Sequence, residues 1–277
     1  MKVSVVIPAH NREHTIRRAI ASVLNQTMED YEIVVVDDRS TDGLKDVVAE
    51  FEGVRYVVNG YTRGPSGARN YGVSTSLGKY VAFLDSDDEW SPNHLEDSVS
   101  CLETYGLDAS YSLWYRQRGI SWEEYPQEWL DFLVSDLNLE ERGRAIILGD
   151  HIAEYMIAKP FWCFHVDTLV VDKISFLQSG MFDEDLASSE DMEFSFRLLL
   201  GSSACLINGY HAYYYEGSDN LVARVPEDSA RVREHAKNTV KAFVQIGQVI
   251  ESSSLIEDKA ACLEQLNRKI DEYEVLR

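Results

Sequence analysis

The sequence predicts an α/β fold built on a mostly parallel sheet, and three observations predict it. Residues 3–7 (VSVVI) and 32–36 (EIVVV) are nearly continuous β-branched apolar runs, as expected of strands covered on both faces. Helical periodicity fills the intervals between such runs, so strand and helix alternate. The runs end in polar loops, PAHNR at 8–12, DDRSTDG at 37–43 and DSDDEW at 85–90. In parallel sheets ligands bind beyond the carboxyl ends of the strands, so these loops are the ones to read for function.

In chain order, the first strand is followed by a helix over 15–26 with Ile16, Ala19, Ile20, Val23 and Leu24 on one face. The second strand leads to a helix over 42–51 carrying Leu44, Val47, Val48 and Phe51. Residues 54–58 form a weaker strand, GARN at 67–70 opens a third helix, and the strand at 79–84 stops on Asp85, Asp87 and Asp88. Residues 114–162 show no clean periodicity and hold four of the five tryptophans, Trp114, Trp122, Trp129 and Trp162. This middle reads either as a lid or acceptor-binding insertion or as a helical excursion packed on the core. A strand at 166–171, a helix at 188–200 and strand-like runs at 204–207 and 211–215 follow. Beyond Pro226 one helical face carries Val232, Ala236, Val240, Phe243 and Gly247, and a second carries Ile256, Ala260, Leu263, Leu266, Ile270 and Tyr273. ESSS at 251–254 separates them. Their polar face is mixed and not basic, which predicts packing onto the core or into a homodimer in preference to membrane contact. The expected organisation is an α/β unit over 1–225, divided near residue 100, with a helical segment over 226–277.

Composition narrows the partners. The chain has 277 residues, with 47 acidic side chains against 26 basic ones and a net charge of −21. That overall field disfavours nucleic acid and anionic lipid, so an anionic ligand must be met by a metal, a helix N-terminus or a few placed arginines. No run of about 18 apolar residues is present, which predicts no transmembrane segment. The first residues, MKVSVVIPAHNRE, lack the apolar core of a signal peptide. Cys101, Cys163, Cys205 and Cys262 are scattered without a CxxC pair, as expected of free thiols in a cytoplasmic protein.

Asp85, Asp87 and Asp88 put three carboxylates into four positions, where each raises the pKa of the others unless a cation sits among them. A divalent metal is the natural cation. A calcium loop fails on paper: Asp85, Asp87, Glu89 and Glu96 fall at positions 1, 3, 5 and 12 of the count, but position 6 is Trp90 where the turn demands glycine, and a strand precedes the loop.

Taken in order, PAHNR, EIVVVDDRSTDG (32–43), GPSGARNYGV (64–73) and YVAFLDSDDEW (80–90) resemble the inverting nucleotide-sugar glycosyltransferases of the large family 2 type, which have the GT-A fold. The resemblance is strong over about 1–100 and useful over 160–200. It implies a GT-A domain, Rossmann-like with flanking helices, and a UDP-sugar as donor. It implies that Asp87 holds Mn²⁺ or Mg²⁺ against the donor diphosphate, with Asp85 on the metal or the ribose and Ser86 between them in the nucleotide site. Asp38 would accept the imide N–H of a uracil or thymine ring, which disfavours cytosine. Pro8 and Ala9 would lie beside the base, Arg12 at the start of the following helix, and Arg69 on base or phosphates. In GMFDEDLASSEDMEFSFRL (180–198), family placement makes Asp191 the general base and gives Glu190 to the acceptor hydroxyls or to tuning Asp191. Trp162 is a candidate acceptor contact. The acceptor is expected to be a glycan or a lipid-linked saccharide, with the enzyme peripheral at the inner face of a membrane.

Simpler readings stand beside these. Asp37, Asp38 and Ser40 also suit helix capping, Arg69 a surface ion pair, and Glu190 with Asp191 a favourable helix N-terminus. The sequence departs from the family in YYYEGSDNLVARV (213–225), where a basic or histidine-containing stretch is expected: Glu216 stands in its place, Ser218 and Arg224 are the substitutes on offer, and His211 reads as a core or surface histidine. Three rival functions remain in view. A sugar-nucleotide nucleotidyltransferase needs a glycine-rich loop, which PAHNRE lacks; a phosphoacceptor domain leaves 85–88 and 190–191 unexplained; a silent sugar-binding module predicts binding without turnover.

Overall fold

The structure, a computed structural model, describes residues 1–118, 120–125, 127–149, 151–158, 164–215 and 230–274. The chain opens with β1 (Val3–Ala9), α1 (Ile16–Leu24), β2 (Tyr31–Asp37), α2 (Leu44–Ala49), β3 (Val54–Val58), α3 (Pro65–Thr75), β4 (Tyr80–Phe83) and the short β5 (Glu89–Trp90). Both predicted β-branched runs are strands, and the reason for their continuity is visible. Val6, Val34 and Val36 enter the core on one face of the sheet, while Val3, Val5, Ile7, Ile33 and Val35 enter the core on the other. Both faces are buried, so the runs stay apolar apart from Ser4 and Glu32, which are buried against each other. α3 lies so close to β1 and β2 that a Cβ on Gly72 would stand 2.3 Å from a methyl of Val6, which is why this helix carries a glycine there.

The second half continues with α4 (His94–Tyr105), closed by Gly106 in the left-handed conformation, then β6 (Ala109–Arg118) and β7 (Ser121–Tyr125). α5 (Gln127–Leu137), β8 (Glu140–Arg142), β9 (Ala145–Leu148) and α6 (Ile152–Ala158) follow. The middle segment therefore has no period of its own because it changes element type every few residues. The predicted strand at 166–171 is corrected: Val166–Thr168 is a 3-10 turn, capped by the His165 ring that accepts from the Asp167 amide, and β10 (Val170–Asp172) starts only after it. α7 (Lys173–Gln178) and α8 (Glu190–Gly201) lead to β11 (Ala204–Tyr214), which joins the two predicted runs at 204–207 and 211–215 into one strand with register shifts between Ile207 and Ala212. α9 (Ala230–Ser252) and α10 (Lys259–Glu274) complete the described chain.

Among the described residues the sheet runs β3-β2-β1-β4-β10-β6-β11-β9-β8. β1, β2, β3 and β4 pair in parallel, as do β6 and β11, but β10, β9, β8 and β7 pair antiparallel. The expectation of a mostly parallel sheet thus holds for the first half, and the second half is mixed. α9 and α10 pack onto α6 and α8: Phe243, Ile246 and Ile250 meet Ala153, Ile157, Met192 and Phe196 in a third apolar cluster. Each such large side chain contributes roughly 1.5–3 kcal/mol of burial. No helix is long and apolar enough to cross a membrane among the described residues. Cys101, Cys205 and Cys262 are free thiols, and the first two, distant in sequence, have sulfurs 2.9 Å apart; Cys163 lies outside the described residues.

Candidate active site

The parallel register brings the ends of β1 and β2 side by side, Ala9 opposite Asp37, with β4 on the other flank of β1. Asp38 donates its amide to the Ala9 carbonyl at 2.8 Å and is itself buried. Its carboxylate accepts from Asn59 Nδ2 at 2.7 Å and from the Gly64 amide at 2.9 Å, one bond on each oxygen. Each carboxylate oxygen takes a second donor, so capacity for an imide N–H remains. Turn-holding falls to Asp37, which accepts from the Ser40 amide at 2.8 Å and from Tyr56 at 2.5 Å. Pro8 and Ala9 form the buried end of β1.

The turn after β4 is held from several sides. Asp167, fully buried, accepts the Asp85 amide at 2.8 Å, and Asp88 accepts the Tyr215 amide at 2.7 Å. Burial and the facing Asp167 carboxylate push Asp88 well above the ordinary carboxylate range, and burial with the Asp85 charge lifts Asp167 to about 6. One proton shared by that pair relieves the repulsion. Ser86 is buried beneath the turn. Asp87 keeps a fifth of its side chain exposed, with Arg12 Nη2 at 3.5 Å, while Arg18 donates to its carbonyl.

Arg69 lies at the centre, 3% exposed. Its Nη2 meets Asp85 Oδ1 at 2.6 Å and its Nη1 meets Glu190 Oε1 at 2.7 Å. The reading that put Arg69 on base or phosphates did not foresee this: the guanidinium is spread between two carboxylates that are 105 residues apart in the chain. Burial is the largest influence on Asp85 and would raise it, but the Arg69 charge and hydrogen bond, with the His165 and Arg12 charges, together outweigh it and hold Asp85 low; at Glu190 burial wins over Arg69, and the neighbouring Asp191 adds to the rise.

Glu190 and Asp191 open α8 after Ser189, which takes the left-handed conformation at φ 62°. The segment before them is pinned by α9, whose side chains meet it mostly in reverse order. Gln245 donates to Asp183 at 2.5 Å, Lys241 to the Asp185 carbonyl at 2.8 Å, and Asn238 accepts from the Ala187 amide at 3.2 Å. His235 Nδ1 is 3.0 Å from the Ser188 hydroxyl, and Thr239 is 2.9 Å from that of Ser189. Burial lowers the His235 pKa and the nearby Asp191 charge opposes it, which places this ring beside the candidate base. These α9 residues escaped the sequence reading because only the apolar stripe was followed; the signal was polar residues at 235, 238 and 239, on the margin of that stripe.

The donor chemistry fits a hard divalent cation. Asp85, Asp88 and Asp167 each offer an oxygen within 4.8 Å of the others, and one oxygen of Asp167 is buried without a hydrogen-bond partner. Asp87, the expected direct ligand, stands outside that trio beside Arg12, and Asp167 was not foreseen at all. His211 is a buried histidine on β11 with Nε2 at 3.3 Å from Asp97, away from this turn. Trp162, Glu216, Ser218 and Arg224 lie outside the described residues.

Comparison with known proteins defines the class first. The fold is similar to that of Staphylococcus aureus TarS 1-349 in complex with UDP, with a TM-score of 0.69 at 18% identity over 99% of this chain and 72% of that one. It is also similar to the mannosyltransferase PcManGT from Pyrobaculum calidifontis in complex with GDP-Man and Mn²⁺, with a TM-score of 0.66 at 18% identity, covering 99% and 73% of the two chains. The architecture is thus the GT-A fold. Residues 4–156 match Glycosyl transferase family 2, more than half of the sequence, and the chain belongs to that family. Among curated relatives, the Escherichia coli UDP-Glc:alpha-D-GlcNAc-diphosphoundecaprenol beta-1,3-glucosyltransferase WfgD is 42% identical over 39% of this chain and 44% of its own length. The poly(ribitol-phosphate) beta-glucosyltransferase of Bacillus spizizenii is 27% identical over 83% of this chain and 35% of its own. The chain spans less than half the length of these relatives.

Proposed function

We propose that the protein is an inverting glycosyltransferase that moves a sugar from a UDP-sugar onto a hydroxyl of a glycan or lipid-linked saccharide. The observation that carries this reading is the double ion pair of Arg69, which ties the Asp85 turn to the start of α8. A donor diphosphate against that turn and an acceptor hydroxyl against Asp191 would then share one cleft. Support for the donor comes from the UDP-Glc in the name of the E. coli relative and the UDP in the TarS complex.

In this scheme Asp38, Pro8 and Ala9 receive the base, and Arg12 stands beside Asp87 near the diphosphate. Asp85, which shares the acidic trio with Asp88 and Asp167, and the neighbouring Asp87 would hold a Mn²⁺ or Mg²⁺ ion, which when bound neutralises charge on the leaving diphosphate. Asp191 takes the proton of the acceptor hydroxyl as that oxygen bonds to the anomeric carbon; the bond from that carbon to the nucleotide diphosphate breaks, and the configuration inverts. Arg69 keeps Glu190 and Asp85 in place without leaving either carboxylate unpaired. Residues 1–225 form the transfer unit, and the segment 226–277 supports the base through α9.

Titration of UDP, GDP, dTDP and CDP calorimetrically, with Mn²⁺ and with EDTA, tests the donor site. UDP should bind only with metal, and Asp87→Ala should abolish that binding. No metal-dependent binding of any of the four would end this reading.

A further inference from the structure

A row of five aromatic rings leads away from the Asp87 turn, and neither the donor site nor the base uses it. Tyr215 stacks under the Arg18 guanidinium, whose carbon lies 3.4 Å from the ring centroid and which also donates to the Asp87 carbonyl. Trp122 meets Tyr215 edge-on at 4.8 Å and Tyr213 at 5.3 Å. Tyr213 stacks on Tyr115 at 5.1 Å, and Tyr115 stacks on Tyr210 at 4.7 Å. Tyr115, Trp122, Tyr210 and Tyr213 share one face of β6, β7 and β11, and Tyr215 follows just past the end of β11. Tyr213 sits opposite Tyr115, which sits opposite Glu124, while Tyr210 is opposite Leu113. Tyr210 and Tyr213 are an odd number of residues apart, so a regular strand would put them on opposite faces; the register shift between Tyr210 and Ala212 brings them to the same one.

Their exposure sets these rings apart from the core. Tyr115, Tyr210, Tyr213 and Tyr215 are half-buried and Trp122 is 38% exposed, whereas the facing-away neighbours Trp114 and Ala212 are buried. Two carboxylates edge the row: Glu89 accepts from the Tyr215 hydroxyl at 2.7 Å and Glu124 from the Tyr210 hydroxyl at 3.3 Å. Tyr115, Tyr210 and Tyr213 cover one another's faces and Arg18 covers Tyr215, so the stack braces Trp122, the most exposed ring of the row; an exposed indole with carboxylate acceptors nearby matches a pyranose, which offers apolar C–H faces and a rim of hydroxyl donors. An acyl chain has no use for the carboxylates, and a phosphate polymer meets repulsion from them and from a net charge of −21.

We propose that this row is a saccharide-binding wall that receives neutral sugar rings of the acceptor, running up to the edge of the donor site at the Asp87 turn. The wall as a binding site stands on the rings and carboxylates alone; its service to an acceptor rests on the transferase reading above.

Saturation-transfer NMR with methyl α-GlcNAc, methyl β-glucoside, cellobiose and N,N′-diacetylchitobiose tests it on the full chain. At least one probe should receive saturation on its ring C–H protons. Trp122→Ala should weaken that binding by roughly tenfold, and Trp122→Phe, which keeps a ring, should restore most of it. Tyr213→Leu provides a second variant, with circular dichroism confirming that each remains folded. Saturation of none of the four sugars, or an unchanged signal in both Trp122→Ala and Tyr213→Leu, would overturn the wall. UDP with Mn²⁺ is titrated on the same samples. Retained nucleotide binding with lost saccharide binding supports the wall as separate from the donor site; saccharide binding that follows the variants without any nucleotide binding supports the wall and removes the donor reading.

Discussion

At the scale of single residues, the site is organised by one cation among many acids. Replacing Arg69 with Leu leaves Asp85 and Glu190 facing each other in the interior, and removal of one partner of a buried ion pair typically costs about 3–5 kcal/mol. Arg69→Leu should therefore lower Tm markedly, and adding Glu190→Gln should recover part of the loss, as thermal unfolding of the single and double variants would reveal. Asp191→Asn should leave metal-dependent UDP affinity intact while reducing kcat by about a hundredfold or more, the range for loss of a general base. Equal turnover in wild type and variant would remove Asp191 from that role. Asp85, Asp87, Glu190 and Asp191 were legible because carboxylates clustered after an apolar run, or at a helix start, are conspicuous. Asp167 was not, since its partners Asp85 and Asp88 are about 80 residues upstream and nothing local distinguishes it from any other acid.

Elements set the positions of those residues, and two of them make this measurable. α9 grips the segment 183–189 through Asn238, Thr239 and His235, so the backbone leading to Asp191 is fixed by a helix from the far end of the chain. Misplacing a catalytic group by about an ångström lowers rates by up to about a hundredfold. Asn238→Ala and Thr239→Ala are accordingly expected to reduce kcat by roughly tenfold with nucleotide affinity unchanged, a split that steady-state kinetics with UDP titration resolves. The second case is Glu32 on β2, which accepts from Ser4 at 2.6 Å, from the Leu77 amide at 2.6 Å and from Arg55 at 2.5 Å. Burial alone would raise its pKa, but these donors outweigh it and lower it below 4.5. A depressed carboxylate stabilises the fold fully above its ordinary pKa and loses that contribution as pH falls through the lowered value. Tm should thus decline below about pH 4.5, and Glu32→Gln should be less stable near pH 7 and flatten the decline. The strands bearing these groups were readable from β-branched runs. The β6–β7 hairpin and the shifts in β11 were not, because register depends on which neighbour a strand pairs with.

Across the whole molecule, α9 and α10 are part of the core's closure. Phe243, Ile246 and Ile250 cover Ala153, Ile157, Met192 and Phe196. Ending the chain at residue 225 would expose that apolar surface, so the truncated protein should aggregate or bind a hydrophobic dye, as size-exclusion chromatography and fluorescence would show. A soluble, fully active 1–225 fragment would contradict this role for α9. The sequence by itself determined the alternation of strand and helix, the parallel first half, the carboxylate turn after β4 and the acidic start of α8. These are written in periodicity and short-range spacing, which a local reading detects. Only the tertiary structure decided that Arg69 joins Asp85 to Glu190, that Asp167 buttresses the turn, that α9 holds the segment before Asp191, and that five rings from β6, β7 and the end of β11 line up in one row. Each of these depends on contacts between residues far apart in the chain, and side-chain period carries no information about which distant strand or helix will lie alongside.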